Sequence, residues 1–145
     1  MSAANPLRLR ARDAEDLSVI SAALQDALVP LGDMTHLPDE KSFAMVVNRF
    51  RWESSTAQDR AERTHAGLRF DAVRRIQYRG IDRSNRAQFL SFLAIAFDGG
   101  EGEGIVAIHF SGGGTIRLEV GGLYCVLADL GQPWPTQWTP THKTD

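Results

Sequence analysis

The chain has 145 residues, 43% hydrophobic and 23% charged, with a formal net charge of −2 and one cysteine. These values describe one globular domain with its own core, and they exclude a disordered chain, a disulfide-stapled scaffold and a protein drawn to nucleic acid or membrane by overall charge. No run approaches the roughly 20 apolar residues of a membrane span, and MSAANPLRLRARD lacks the apolar centre of a secretory signal, so a cytoplasmic protein with no membrane partner is expected.

Leu7 to Arg12 alternates apolar and basic residues, which predicts a short strand with Leu7, Leu9 and Ala11 facing inward and arginines shielding an edge. Asp13 is a good N-cap, and Leu17, Ile20, Leu24, Ala27 and Leu28 follow a 3.6-residue period, so a helix should run from there to about Leu28, before Pro30 and Gly32. Gly32 to Leu37 is a candidate strand. Ser42 to Trp52 is a clearer one, with Phe43, Met45 and Val47 on one parity and Phe50 and Trp52 on the other. That switch predicts a bulge or a corner. Glu53 to Thr64 is polar and aperiodic, as expected of a surface loop, and Gly67 to Gly80 reads as one long strand kinked where Val73 breaks the parity.

The stretch from Gln88 to Val120 organises the rest. Phe89 to Phe97 is almost wholly apolar and suits a strand covered on both faces. Two glycine-rich turns, Asp98 to Gly104 and Ser111 to Gly114, then separate it from Ile105 to Phe110 and from Thr115 to Val120. In the last of these, Ile116, Leu118 and Val120 alternate with Thr115, Arg117 and Glu119, the pattern of a sheet with one wet face. Leu123, Val126, Leu127 and Leu130 return to helical spacing ahead of Gly131 and Pro133, which predicts a short C-terminal helix. Residues 132–145, with three prolines and two tryptophans, read as an extended tail of a single 1–145 domain. The expected class is α+β: an antiparallel meander, strongly curved or barrel-like, with an N-terminal helix and a short C-terminal one.

Three segments, LRLRARDAEDLSVISAALQDALVPLGDMTHLP, FAMVVNRFRWE and GLRFDAVRRIQYRGID, resemble an uncharacterised alphaproteobacterial family known only as a domain of unknown function. The resemblance spans roughly Leu7 to Leu130 and implies a small bacterial protein with no assigned activity, so it brings no catalytic residues with it. The order of elements is also similar to pleckstrin-homology-like barrels, in which a C-terminal helix closes the meander; that likeness concerns fold alone.

The strongest charge feature is basic. Between Arg49 and Arg86 stand ten arginines, five acids and no lysine, a local excess of +5. Arginine's planar fork suits phosphate and carboxylate. Arg69, Arg74, Arg75 and Arg79, with Tyr78 among them, form a candidate face for RNA or a phosphorylated ligand if they share one side of the sheet, with Arg49, Arg51 and Trp52 as further members. The plainer reading is a solvated face whose arginines pair with nearby acids. Trp134 and Trp138, set between prolines, suit either docking into another protein or folding back over the sheet.

The other motifs are weaker. Neither glycine-rich turn has the Gly-Lys-Ser/Thr ending of a phosphate loop, and Asp98, Glu101 and Glu103 lack calcium-loop spacing. His36, His65, His109 and His142 show no paired metal-ligand spacing, and no metal or other cofactor is expected. Cys125 has no adjacent base or cation and reads as a small buried hydrophobe. Three functions therefore stand. The first is a non-enzymatic module binding another protein or a second copy. The second is an RNA- or phosphate-binding protein, marked by steep salt dependence. The third is an enzyme of unknown reaction, which would need His36, His109 or a carboxylate in a cleft.

Overall fold

A computed structural model describes residues 6–52 and 62–135, with side chains to residue 131. Its elements are β1 (Arg8–Ala11), α1 (Ala14–Ala23), β2 (Leu28–Pro30), β3 (Met34–Leu37), β4 (Ser42–Phe50), β5 (Glu62–Phe70), β6 (Val73–Arg79), β7 (Phe89–Gly99), β8 (Gly104–Phe110), β9 (Thr115–Val120) and β10 (Cys125–Pro135). The ten strands form one antiparallel sheet in the order β1-β10-β5-β4-β2-β7-β8-β9-β6, with β3 pairing on β4.

The sheet folds over on itself by bending a two-stranded ribbon. β5 and β10 pair up to Phe70 and Cys125, and β6 and β9 resume the pairing at Val73 and Val120. Between them the ladder is carried around a corner by Asp71 N to Tyr124 O at 3.0 Å and Gly121 N to Ala72 O at 2.8 Å. Ala72 takes a φ of +58° to make the bend, a left-handed conformation that non-glycine residues adopt at some cost. The expected long kinked strand over 67–80 is therefore β5 and β6, with the kink at 71–72. β5 begins earlier than expected, at Glu62, and the rest of the expected loop, residues 53–61, lies outside the described residues.

Both halves of the sheet turn their inner faces onto one core. Phe43, Met45 and Val47 of β4, Leu68 and Phe70 of β5 and Leu127 of β10 face Phe92 of β7, Val106 and Ile108 of β8 and Ile116 and Leu118 of β9. Helix α1 adds Leu17, Ile20 and Leu24 and packs against β7 and β1. Its N-terminus is capped as expected, with the Asp13 carboxylate accepting from Asp16 N at 2.7 Å. It stops at Ala23, short of the expected Leu28, because Asp26 turns with φ +65° and Leu28–Pro30 are drawn into the sheet between β4 and β7.

Several expectations are corrected. The edge strands β1 and β6 do not pair with each other, so the sheet is not closed into a barrel. The expected C-terminal helix is absent: Leu123 lies in the corner, and Val126, Leu127 and Leu130 belong to β10, which fills the slot between β1 and β5. A short apolar run fits either period, and here the open edges of two strands decide. Residues 132–135 of the expected irregular tail continue β10, so the backbone of Trp134 pairs with that of Arg63, while Trp138 lies outside the described residues. No bulge occurs in β4, whose register with β5 is unbroken from Phe43 to Phe50. The parity switch instead marks an end of the sheet that is buried on both sides. β7 is a strand as expected, but it is covered on one face only.

Candidate interaction surface

The outer face of the sheet carries most of the exposed apolar side chains among the described residues, with Val19 on α1 and Tyr124 in the corner apart from it. Of the large hydrophobic side chains described as exposed, Val46 (41%), Phe89 (62%), Leu93 (52%) and Leu130 (45%) all lie on strands and point away from the core. Register places them. One cross-strand row runs Leu130, His65, Asn48, Leu28 and Ser91 across five strands without a carboxylate, ammonium or guanidinium side chain. The next runs Arg8, Ala128, Gly67 and Val46, and the next Arg10, Val126, Arg69, Ala44 and Thr35. Pro30, opposite Phe89, continues the apolar side toward β7.

At the centre of this face is a hollow of about 470 Å³, floored by Ala44, Val46, Gly67, Val126 and Ala128 and bounded by Arg8, Arg69, Asp33 and Thr35. Gly67 makes it. No backbone strain demands glycine there, and a Cβ would meet only Leu130 Cδ1, at an ordinary 3.8 Å. Glycine weakens a strand interior and often marks a place where another surface comes close.

The arginines fall into separate environments. Arg49 points inward at the end of β4 and is fully buried, with Nε and Nη2 each 2.8 Å from the two oxygens of Asp129. Asp129 Oδ2 also accepts from the Leu7 amide at 2.8 Å. Arg51 pairs with Glu62, and Arg63 donates to Asn48 Oδ1 at 3.2 Å and lies over the Phe50 ring. Burial pushes the Arg63 guanidinium down, and Asp26 opposes that shift. Trp52 donates to Gln25 O at 3.1 Å and packs edge-on against Phe50.

The residues singled out in sequence do not gather on one face. Arg69 lies on the outer face of β5 and bonds Asp71, Glu40 and the Ser42 hydroxyl, and the bonds to Asp71 and Glu40 raise its pKa. Beyond the corner, Arg74 sits in a bulge of β6 and pairs with Glu103 at 2.7 Å, and Arg75 lies 3.7 Å from Glu119. Arg79 is exposed beside Thr115, and Arg117 lies one row away opposite Gln77; among the described residues neither has an ion-pair partner. Tyr78 turns the other way, packs against the core, and is covered by the Arg83 guanidinium 4.1 Å from its ring centre.

His36 and His109 are exposed, and His109 Nδ1 lies 3.3 Å from Thr115 Oγ1. Cys125 is buried as expected, and burial, with a contribution from Asp71, pushes its thiol far up. Among the described residues no group of three His, Cys, Asp or Glu side chains is placed to hold a metal ion, and no helix is long and apolar enough to cross a membrane. Sequence reasoning missed Val46, Gly67, Ala128, Leu130, Arg8 and Asp33 as a surface. The available signal was Gly67, which stood at the expected start of a strand rather than at its middle.

The chain belongs to the family described as "Protein of unknown function (DUF2948)", which it matches over residues 7–142. No curated protein and no solved structure matches it.

Proposed function

We propose that this member of the family is a non-enzymatic protein-interaction module whose docking surface is the outer sheet face centred on Val46, Gly67, Ala128 and Leu130. The observation that supports this reading is the coincidence of exposed apolar side chains, a row across five strands with no carboxylate or guanidinium group, and a hollow floored by Ala44, Ala128 and a glycine that the fold does not require. Contiguous exposed apolar surface of this kind is a common mark of a binding site. The test compares wild type with Val46→Glu/Leu130→Glu as bait in extracts of the source cells, after ribonuclease treatment. A protein recovered stoichiometrically by wild type and lost from the variant supports the reading. Recovery of the same proteins by both baits overturns it.

A second reading, binding of RNA or another phosphate ligand, has one observation in its favour: Arg79 and Arg117 are exposed on adjacent rows without ion-pair partners among the described residues. Binding of single-stranded RNA that falls steeply with salt in wild type, and is lost in Arg79→Glu/Arg117→Glu, would favour it over the first. Binding unchanged in that variant would remove it.

A further inference from the structure

We infer that the open edge of β6 is a second interaction site, which takes an extended acidic segment of a partner protein as an added antiparallel strand. The site lies beyond the corner, on the other half of the sheet from the surface around Gly67, and does not depend on that surface.

The backbone makes the site. Phe110 N donates to Gly114 O at 2.8 Å, so these two form a bonded pair at the hairpin between β8 and β9. Bonded and non-bonded pairs alternate along an antiparallel ladder. Counted from that hairpin, Ile116, Leu118 and Val120 bond across to β8, so Thr115, Arg117 and Glu119 bond across to Arg79, Gln77 and Arg75 of β6. Gly121 N to Ala72 O at 2.8 Å fits the same alternation. The N–H and C=O groups of Ile76 and Tyr78 therefore point away from β9. Val73 N also points away from β9 and donates to Lys41 O at 2.8 Å, which closes the edge at the corner. Among the described residues no strand pairs with β6 on this side. Other margins of the sheet are covered or short. Helix α1 packs against β1 and β7, its Ser21 Oγ accepts from Ile95 N at 2.9 Å, and β3 has four residues. The backbone groups of Ile76 and Tyr78 thus stand ready to bond an added strand, a common way for a sheet to take a peptide.

Charge selects the occupant. Glu103 and Glu119 take Arg74 and Arg75. Arg79 is exposed at the end of β6, Arg117 lies one row away on β9, and the Arg83 guanidinium lies over the Tyr78 ring. Among the described residues none of these three has an ion-pair partner. An acidic strand meets them, and a second β6 does not. With Ile76 bonded opposite Tyr78 of another copy, Arg75 would stand opposite Arg79 twice, and like charges directly opposite are unfavourable. Nucleic acid would use the arginines but offers no ladder to the Ile76 and Tyr78 backbone. The segment that fits has acidic side chains outward, beside Arg75, Gln77 and Arg79, and apolar ones inward, beside the half-buried Ile76 and Tyr78.

The test is amide hydrogen exchange of the full chain, read residue by residue by NMR, with the capped peptide Glu-Val-Glu-Val-Glu-Val-Glu as probe. In the free protein the amides of Gln77 and Arg79 should be protected and those of Ile76 and Tyr78 should exchange fast. Peptide at millimolar concentration should slow the Ile76 and Tyr78 amides about tenfold or more. The same peptide methylated at its valine nitrogens, which face β6 in antiparallel addition, should not bind, whereas methylation at the glutamate nitrogens should be tolerated. Replacing its glutamates by lysines should abolish binding, and Arg79→Glu/Arg117→Glu should weaken it about tenfold or more. Val46→Glu/Leu130→Glu should take the peptide as wild type does, so that failure here and failure of the outer face are read separately. Ile76 and Tyr78 amides already protected in the free protein, no protection on adding the peptide, or equal affinity for the valine-methylated or the lysine peptide would overturn the inference. Oligouridylate that binds more tightly than the peptide and leaves both amides unprotected would assign the arginines to nucleic acid and also overturn it.

Discussion

Arg49, Arg51 and Arg63 lie on one side of the Asp71–Ala72 corner or its approach and are buried; Arg74, Arg75 and Arg79 lie beyond it and are exposed. In sequence the two sets look alike, both interleaved with aromatic and aliphatic residues. Their surroundings differ because the ends of β4 and β5 are covered on both faces, while β6 is an edge strand. In the buried set Arg49 and Arg51 are matched by Asp129 and Glu62, and Arg63 by Asn48 and the nearby Asp26, since an uncompensated buried charge is strongly unfavourable. In the exposed set Arg74 and Arg75 pair loosely with Glu103 and Glu119, and water screens those contacts. A high density of arginine in a sequence therefore does not amount to a basic face.

The contrast can be broken most forcefully at Arg49. Replacing it with Ala leaves the Asp129 carboxylate buried without its two-pronged partner and should destabilise the fold by about 3–5 kcal/mol in urea unfolding. Arg49→Lys should restore only part of that, because a single ammonium cannot reproduce the paired contacts.

Ser42 sits nearer the corner and gives an intermediate case. Its buried hydroxyl donates to Asp71 at 2.6 Å and accepts from Arg69 Nη2 at 2.9 Å. Ser42→Ala should cost about 1 kcal/mol at neutral pH. The cost should depend on pH. Burial alone would raise the Asp71 carboxyl, but the Ser42 hydroxyl and the Arg69 guanidinium together hold it below the usual range. A depressed carboxyl contributes stability above its unfolded pKa, near 3.9, and loses it as pH falls through the lower folded value. The gap between wild type and Ser42→Ala should accordingly narrow on acidification, as read from chemical unfolding at a series of pH values.

The smallest effect belongs to the exposed strand. Arg74→Gln removes a pair whose two side chains are both more than half exposed, and it should change stability by no more than about 0.5 kcal/mol. A larger change in thermal or urea unfolding would mean that the two sets of arginines are less distinct than their burial implies.

Much of this fold was legible locally. The Asp13 cap, the alternation in Leu7 to Ala11 and the glycine turns around β8 are short-range signals, and the structure follows them. β10 was not legible, because Val126, Leu127 and Leu130 suit a helix in isolation and become a strand only beside β1 and β5. The pairing of Arg49 with Asp129 joins residues 80 positions apart, and no local pattern announces it. The surface centred on Gly67 was hidden for a related reason: outward Val46 and Leu130 look like core residues until register shows which face they occupy.

The place of β10 has a consequence for synthesis on the ribosome. Among the described strands it is the last in the sequence, yet it lies between β1 and β5, and among the described residues β1 pairs with no other strand. Until β10 emerges, the nascent chain holds an unpaired first strand and a β5 with one open edge. Such edges recruit other chains. Arg8 and Arg10 place positive charge along the β1 side of that slot, the kind of charge that blunts an open strand edge.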